Sequence, residues 1–356
     1  MYNPETIFAF IKQLFHKIGC NDEDASTVAG VLLAAELRGI ESHGILRIPD
    51  YYNLWKSKRI NTHPNIRVVH ETPSTAVVDG DSALGMIAGK KAMQIAIDKS
   101  KAVGTGWVSV RNSNHFGIAG YYAMMALKND MIGITMTNAN PLVAPTFSVD
   151  RMLGTNPIAV AVPAGQQPPY VADFATTPIA RGKLDLMHKK GLKAPLGYVQ
   201  DAEGKPSDDP NILTQGGAIL PLGGDREHGS HKGYCLGSIV DIFSAVFSGA
   251  GYGPWVPPSV AYLPVLQNDE VKGTGHFFGA MRIDAFRPAD EFKAAMDKWI
   301  LDFRNAKPAK GFEKVLIPGD PEREMEEIRK KEGIPMMPAL VEKINQIAKE
   351  LGIDEM

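Results

Sequence analysis

Ser42, His43, Gly44 and Arg47 stand within six positions of one another in the run I-E-S-H-G-I-L-R-I-P-D-Y-Y, Ile40 to Tyr52. An imidazole titrating near neutrality can move a proton to or from a reacting oxygen, and a guanidinium can hold a carboxylate through two parallel N–H bonds. If a helix begins near Ser42, the serine caps it and His43 and Arg47 share one face at i and i+4. Read locally, the same run is also a capped surface helix. Its chemistry depends on what the rest of the chain sets beside it.

Four later stretches are likewise dense in polar groups and glycines. N-S-N-H-F-G-I-A-G-Y-Y-A, Asn112 to Ala123, runs from a loop into a helix, with His115 beside Gly117 and Gly120 where a ligand can approach backbone closely. Such loops equally serve to satisfy their own backbone. Gly154-Thr155-Asn156-Pro157 and Asp173-Phe174-Ala175-Thr176-Thr177 each adjoin a strand and can complete a pocket wall. Gly223 to Tyr234 is glycine-rich, carries His228, His231 and Lys232, and opens onto a helix whose free N–H groups suit a pyrophosphate.

Familiar fingerprints are missing. No G-x-G-x-x-G follows a strand and opens a helix, and Ser230-His231 stands where a P-loop needs Lys-Ser/Thr. Glu227-His228 with His231 gives E-H-x-x-H, which lacks the spacing of a zinc protease. A metal-assisted hydrolase or lyase using His228, His231 and a carboxylate is the rival class.

Thirty-eight basic against forty acidic residues leave a formal charge of −2, which carries no footprint for nucleic acid or a membrane surface. Small molecules are the expected partners. The 356 residues hold two well-separated cysteines, Cys20 and Cys235, and no apolar run approaches 18 residues, so the expectation is a soluble cytoplasmic protein.

The elements that must position these groups follow from periodicity. Glu5 to Ile18 is an amphipathic helix, Asp22 caps a second, and the Ser42 segment makes a third. Strands are predicted at Ile66–His70, Thr75–Gly80, Gly106–Arg111, Ile132–Thr137, Ile158–Val162, Tyr170–Phe174 and Ala280–Phe286. Helices are predicted at Met86–Lys101, Tyr234–Phe247 and Ala289–Arg304, with two more in the tail, and Asp185–Pro210 reads as a surface excursion. Strands alternating with helices give an α/β (α+β) class, with ligands at strand ends. Boundaries fall at 1–62, a helical N-terminal region; 63–306, an α/β domain; and 307–356, helices returning to the N-terminal region.

Together E-S-H-G-I-L-R-I-P (41–49), N-S-N-H-F-G (112–117), G-T-N-P-I-A (154–159), D-F-A-T-T (173–177), A-R-G-K (180–183), L-P-L-G-G and H-K-G-Y-C-L-G closely resemble the type-2 malate/L-lactate dehydrogenase family. That family includes ureidoglycolate and sulfolactate dehydrogenases, and the likeness covers nearly the whole chain. It implies a homodimeric nicotinamide-dependent oxidoreductase with a non-Rossmann, mixed-sheet cofactor domain, using NAD or NADP. It implies His43, oriented by Ser42, or else His115, as acid/base. Arg47 would hold the substrate carboxylate, with Asn140, Thr155 and Arg181 facing substrate. His115, Phe116, Gly117, Gly120, Asp173, Phe174, Ala175, His231, Lys232, Pro318 and Gly319 would line the cofactor. Imine-reducing relatives carry an aspartate near the position of Lys183; the lysine here suits a 2-hydroxy acid with a second negative group, which Arg181 or Lys183 would meet. Malate is the preferred substrate, with lactate, ureidoglycolate and sulfolactate as alternatives.

Overall fold

Asn3 accepts N–H bonds from Glu5 and Thr6 at 2.8 and 3.2 Å and so starts the first helix, α1 (Pro4–Lys17), with Pro4 in its first turn. One stripe of α1, Ile7, Phe10, Ile11, Leu14 and Phe15, is buried. Each such side chain contributes roughly 1.5–3 kcal/mol when fully removed from water. The cap of α2 (Asp22–Leu37) is Asn21, which accepts from the Asp24 N–H at 2.9 Å, rather than the expected Asp22. The structure, a computed structural model, describes residues 1–356.

The chain continues through α3 (Ile48–Lys56), β1 (Arg67–Glu71), β2 (Thr75–Asp79), α4 (Gly85–Val103), β3 (Thr105–Ser113), α5 (Ala119–Met125), β4 (Met131–Thr137), β5 (Ile158–Val162) and β6 (Tyr170–Phe174). Then follow α6 (Arg181–Lys189), β7 (Val199–Gln200), β8 (Pro206–Ser207), β9 (Ala218–Ile219), α7 (Ser230–Asp241), β10 (Thr274–Arg282), α8 (Ala289–Arg304), α9 (Asp320–Glu332) and α10 (Pro338–Leu351). No helix is long and apolar enough to cross a membrane.

Seven strands form one mixed sheet in the order β1-β2-β3-β10-β4-β5-β6. Only β2 and β3 pair in parallel, joined by α4; every other neighbour is antiparallel. This is the non-Rossmann sheet of the expected class. Three details differ from the sequence reading. The last strand begins at Thr274, and Ile283–Ala285 is a turn, so the glycines at 273, 275 and 279 belong to the sheet centre and its entry. The excursion from Asp185 to Pro210 contains part of α6 and the strands β7 and β8, which pair with β9 in a small sheet around its own apolar cluster of Val143, Leu184, Val199 and Ile219. The third helix starts at Ile48, not Ser42.

Strand direction explains where a site can form. β2, β3, β4 and β6 run one way, so their C-terminal ends share an edge with the N-terminal ends of β5 and β10. The register sets Ser113 against Thr274, His276 against Thr137, Met136 against Ile158 and Ile158 against Phe174 along that edge. The apolar core runs without interruption from α1 and α2 through α4 into the sheet. The chain's end returns across it: Tyr2 bridges Ile334, Tyr52 donates to Glu350, and Arg38 pairs with Glu326 at 3.4 Å.

Candidate active site

Residues 41–47 form two short 3₁₀ turns, Glu41–His43 and Ile45–Arg47, separated by Gly44 at φ −95°, ψ −137°. The expected Ser42 cap and the shared helical face of His43 and Arg47 are therefore absent. A Cβ at Gly44 would collide with the Glu36 carboxylate, so any side chain there has to displace that carboxylate where the chain crosses α2. The break turns Ser42 onto its neighbour instead: its hydroxyl lies 2.9 Å from His43 Nδ1. Arg47 closes the loop by donating from Nε to the Ser42 carbonyl at 2.8 Å and from Nη1 to Asp50 at 3.2 Å. Nε being engaged, a carboxylate must approach the Nη1/Nη2 end of the fork.

His115 leaves β3 at the shared edge and stacks on His43 with ring centroids 5.4 Å apart. Its Nδ1 receives the Tyr51 hydroxyl at 2.7 Å and the Gly117 N–H at 3.4 Å. A backbone N–H only donates, so this network assigns the neutral ring's proton to Nε2. Burial pushes Tyr51 well above the usual phenol range, which keeps its proton available to donate. Burial first, then the Arg47 charge, lowers His43 to about 4. The same causes, with His43 and His276 added, hold His115 well below its ordinary value. Both rings are neutral near pH 7.

Further along the edge, Asp173 at the end of β6 accepts the Gly120 N–H at 2.7 Å, and a Cβ at Gly120 would meet that carboxylate at 2.8 Å. Pro318 and Gly319 run beside the same strand, the Pro318 carbonyl accepting the Val171 N–H at 3.0 Å. Phe174 is exposed and Ala175 half-buried. Thr176 donates its N–H to the Thr155 carbonyl at 2.9 Å, which joins the 154–157 and 173–177 turns into one wall. Asn140 and Arg181 line a cavity of about 370 Å³ with Arg151, Asp185 and Pro254.

Other expected groups stand apart. Phe116 is buried between His276 and Tyr122, with ring centroids at 4.7 and 4.9 Å, and only its backbone borders the site. Lys183 is exposed on α6 and its ammonium makes no hydrogen bond or ion pair, so it does not orient either histidine. At the start of α7, His231 Nδ1 meets Arg226 at 3.1 Å and His228 Nδ1 meets Asp225 at 2.6 Å, while Lys232 is exposed. The Asp225 carbonyl takes the Ser230 N–H at 2.9 Å, leaving fewer free donors there than the glycine spacing predicts. No three His, Cys, Asp or Glu side chains converge as metal ligands, and His228 and His231 face different partners. The metal-hydrolase reading has no donor set.

Sequence reasoning missed Tyr51, Glu36 and His276. Tyr51 follows Arg47 by four positions, a helical spacing that was available as a signal. Glu36 is the one acid in the buried stretch Ala35 to Leu37, and His276 the one imidazole in an apolar strand. His276 is locked between Thr137 at 2.7 Å and Ser113 at 2.8 Å, and burial lowers it to about 3. It ties β3, β10 and β4 together just beneath His115.

The chain as a whole matches known proteins in sequence and fold. A family model described as malate/L-lactate dehydrogenase matches residues 2–345. The malate dehydrogenase of Pyrococcus abyssi is 41% identical over 350 residues, covering 98% of this chain and 94% of that protein. The L-sulfolactate dehydrogenase of Methanocaldococcus jannaschii is 41% identical over 352 residues, covering 99% and 97%. The solved structure of malate dehydrogenase from Pyrococcus horikoshii OT3 matches with a TM-score of 0.90 at 39% identity, covering 100% of this chain and 96% of that one. With this fold, this edge and these matches, the chain is an enzyme of the malate/L-lactate dehydrogenase family.

Proposed function

We propose that the enzyme reversibly oxidises a 2-hydroxy acid to its 2-oxo acid, with malate and oxaloacetate the leading pair and His43 the acid/base. The observation that carries the choice of His43 is the nature of its partner. The Ser42 hydroxyl at 2.9 Å from Nδ1 can accept as well as donate, so it can hold the Nδ1–H tautomer that leaves Nε2 free to take and return the proton. His115 has no such freedom, because the Gly117 N–H can only donate to its Nδ1. His115 acts as a fixed Nε2–H donor that polarises the substrate oxygen.

Arg47 anchors the C1 carboxylate through Nη2 and the remaining N–H of Nη1, whose other N–H goes to Asp50, a geometry that an ammonium does not supply. That carboxylate also offsets the charge that lowers His43, raising the imidazole toward the pH at which it works. The family resemblance would have Arg181 and Asn140 receive a distal acidic group, which favours malate or sulfolactate over lactate; the cavity they line with Arg151 and Asp185 includes neither histidine nor Arg47.

A nicotinamide nucleotide, NAD first and NADP second, supplies or accepts the hydride when bound. The sheet edge fits it, since Gly120 permits a close backbone approach beside Asp173, and the exposed Lys232 at the start of α7 is the cation that the resemblance assigns to the cofactor. The expected homodimer has support in an exposed apolar face of Ile239, Ile242, Val246 and Phe247 beside Trp107 and Phe277. Two free cysteines suit a reducing cytoplasm.

The test is absorbance of the reduced nicotinamide band with NADH and NADPH in turn against oxaloacetate, pyruvate, sulfopyruvate and oxalurate. Rapid decay with oxaloacetate is expected. Turnover of another 2-oxo acid alone keeps the chemistry and replaces malate; no decay with any of them refutes the reading.

A further inference from the structure

We propose that Glu36 is a positioning residue for the catalytic loop: its carboxyl, wedged beneath Gly44, holds residues 41–47 in the broken turn that sets His43 beside Arg47. This rests on the 2-hydroxy acid reading, since the loop carries that reading's acid/base and its anion anchor.

Glu36 lies in the interior of α2 and is 3% exposed. Its Oε1 accepts the Ile45 N–H at 2.8 Å. Ile45 opens the second 3₁₀ turn, whose preceding residue is Gly44 and has no side chain to cap it. Glu36 thus supplies, from nine residues upstream, the cap that the turn lacks. The space between carboxyl and backbone is filled, because a methyl at Gly44 would sit 2.2 Å from Oε1.

The arrangement is clamped from the far end of the chain. Arg329 on α9 donates from Nη1 to the Glu36 carbonyl and from Nη2 to the Glu41 carboxylate, so one guanidinium grips α2 and the start of the loop together. The charged groups facing Glu36 are Glu41 from the loop and Arg329 from α9. Burial pushes Glu36 up to about 7; Glu41 adds to this, and the Ile45 N–H and Arg329 pull the other way. Protonated or not, one oxygen stays available to Ile45, and a glutamine carbonyl can replace it.

The experiment compares E36Q, E36A, G44A and the E36A/G44A double variant with the wild type, measuring kcat, KM for oxaloacetate, KM for the nucleotide and oxamate affinity. E36A leaves a buried N–H unpaired and is expected to raise the oxo-acid KM and weaken oxamate about tenfold, with the nucleotide KM unchanged. E36Q should recover most of this loss. G44A should resemble E36A, and adding it to E36A should cost less than adding it to the wild type, because the contested space is then empty. Wild-type oxamate affinity in E36A, equal loss in E36Q, or strict additivity of E36A and G44A overturns the proposal. If the wild type turns over no 2-oxo acid, the functional reading fails on its own. Tryptic cleavage after Arg47, faster in E36A than in E36Q, then tests the loop claim directly, and equal rates overturn it.

Discussion

The imidazoles of His43 and His115 stack with centroids 5.4 Å apart and planes 27° from parallel, and the Arg47 charge acts on both. Two imidazolium ions at that spacing repel, so at most one ring is charged at a time. The pair therefore divides its roles: one ring takes the charge and the other remains a neutral donor.

His43→Ala is expected to lower kcat by about 10²–10⁴-fold, the usual contribution of a positioned acid/base. His115→Ala should cost less, since it removes a hydrogen-bond donor rather than the proton carrier. Steady-state kinetics in both directions checks this. Equal losses would remove the distinction between the two rings.

Tyr51→Phe deletes the stronger of the two donors to His115 Nδ1. Loss of one such bond is worth roughly 1 kcal/mol, so kcat/KM should fall about fivefold. The tautomer should then become mixed, visible as altered ¹⁵N shifts of the His115 ring. A pure Nε2–H ring in the variant would show that Gly117 alone suffices.

Arg47→Ala should raise the oxo-acid KM by about 10- to 100-fold, the worth of a charge-assisted bond, and Arg47→Lys should recover little of it. Oxamate titrations report the same anchor without turnover. Unchanged oxamate affinity would move the carboxylate to Arg181.

Ligand binding should also move a pKa. His43 sits near 4 partly because Arg47 is close. An oxamate carboxylate on Arg47 offsets that charge, so His43 should titrate about one unit or more higher in the complex. NMR titration of the ring protons measures the shift, and a fall on binding would contradict the arrangement.

Stability should carry the mark of Glu36. Its folded value, about 7, lies above the ordinary 4.5, so the native state holds a proton that the unfolded chain releases. That contribution is complete below pH 4.5 and is lost as pH rises to about 7, amounting to roughly 3 kcal/mol. His43 acts in the opposite sense. Its folded value of about 4 lies below 6.5, so its contribution is complete above pH 6.5 and is lost as pH falls toward 4. Glu36→Gln removes only the first slope, so its Tm advantage over the wild type should grow from pH 4.5 to 7 and then level. A constant difference across that range would place the carboxyl in a wetter setting than the fold shows.

What could be read from the chain divides along the reach of the interactions. α1 and α2 followed from local apolar spacing, and Ser42, His43 and Arg47 stood out because hydroxyl, imidazole and guanidinium seldom cluster without a task. The break at Gly44 was hidden, because its cause is Glu36 on another helix. Tyr51 was hidden for the same reason: its partner lies 64 residues away. The insertion of β10 between β3 and β4 depends on long-range pairing, which strand periodicity does not encode. Lys183 had the right charge, yet its helix turns it to solvent.

The most direct measurement follows the hydride itself. Nicotinamide nucleotide deuterated at the transferring carbon is mixed with enzyme and oxaloacetate, and the malate formed is read by mass spectrometry and proton NMR. The account predicts one deuterium, at C2, with a primary isotope effect on single-turnover rates. Malate formed without deuterium, or deuterium lost to solvent, would contradict direct transfer at the site built by His43, Arg47 and His115.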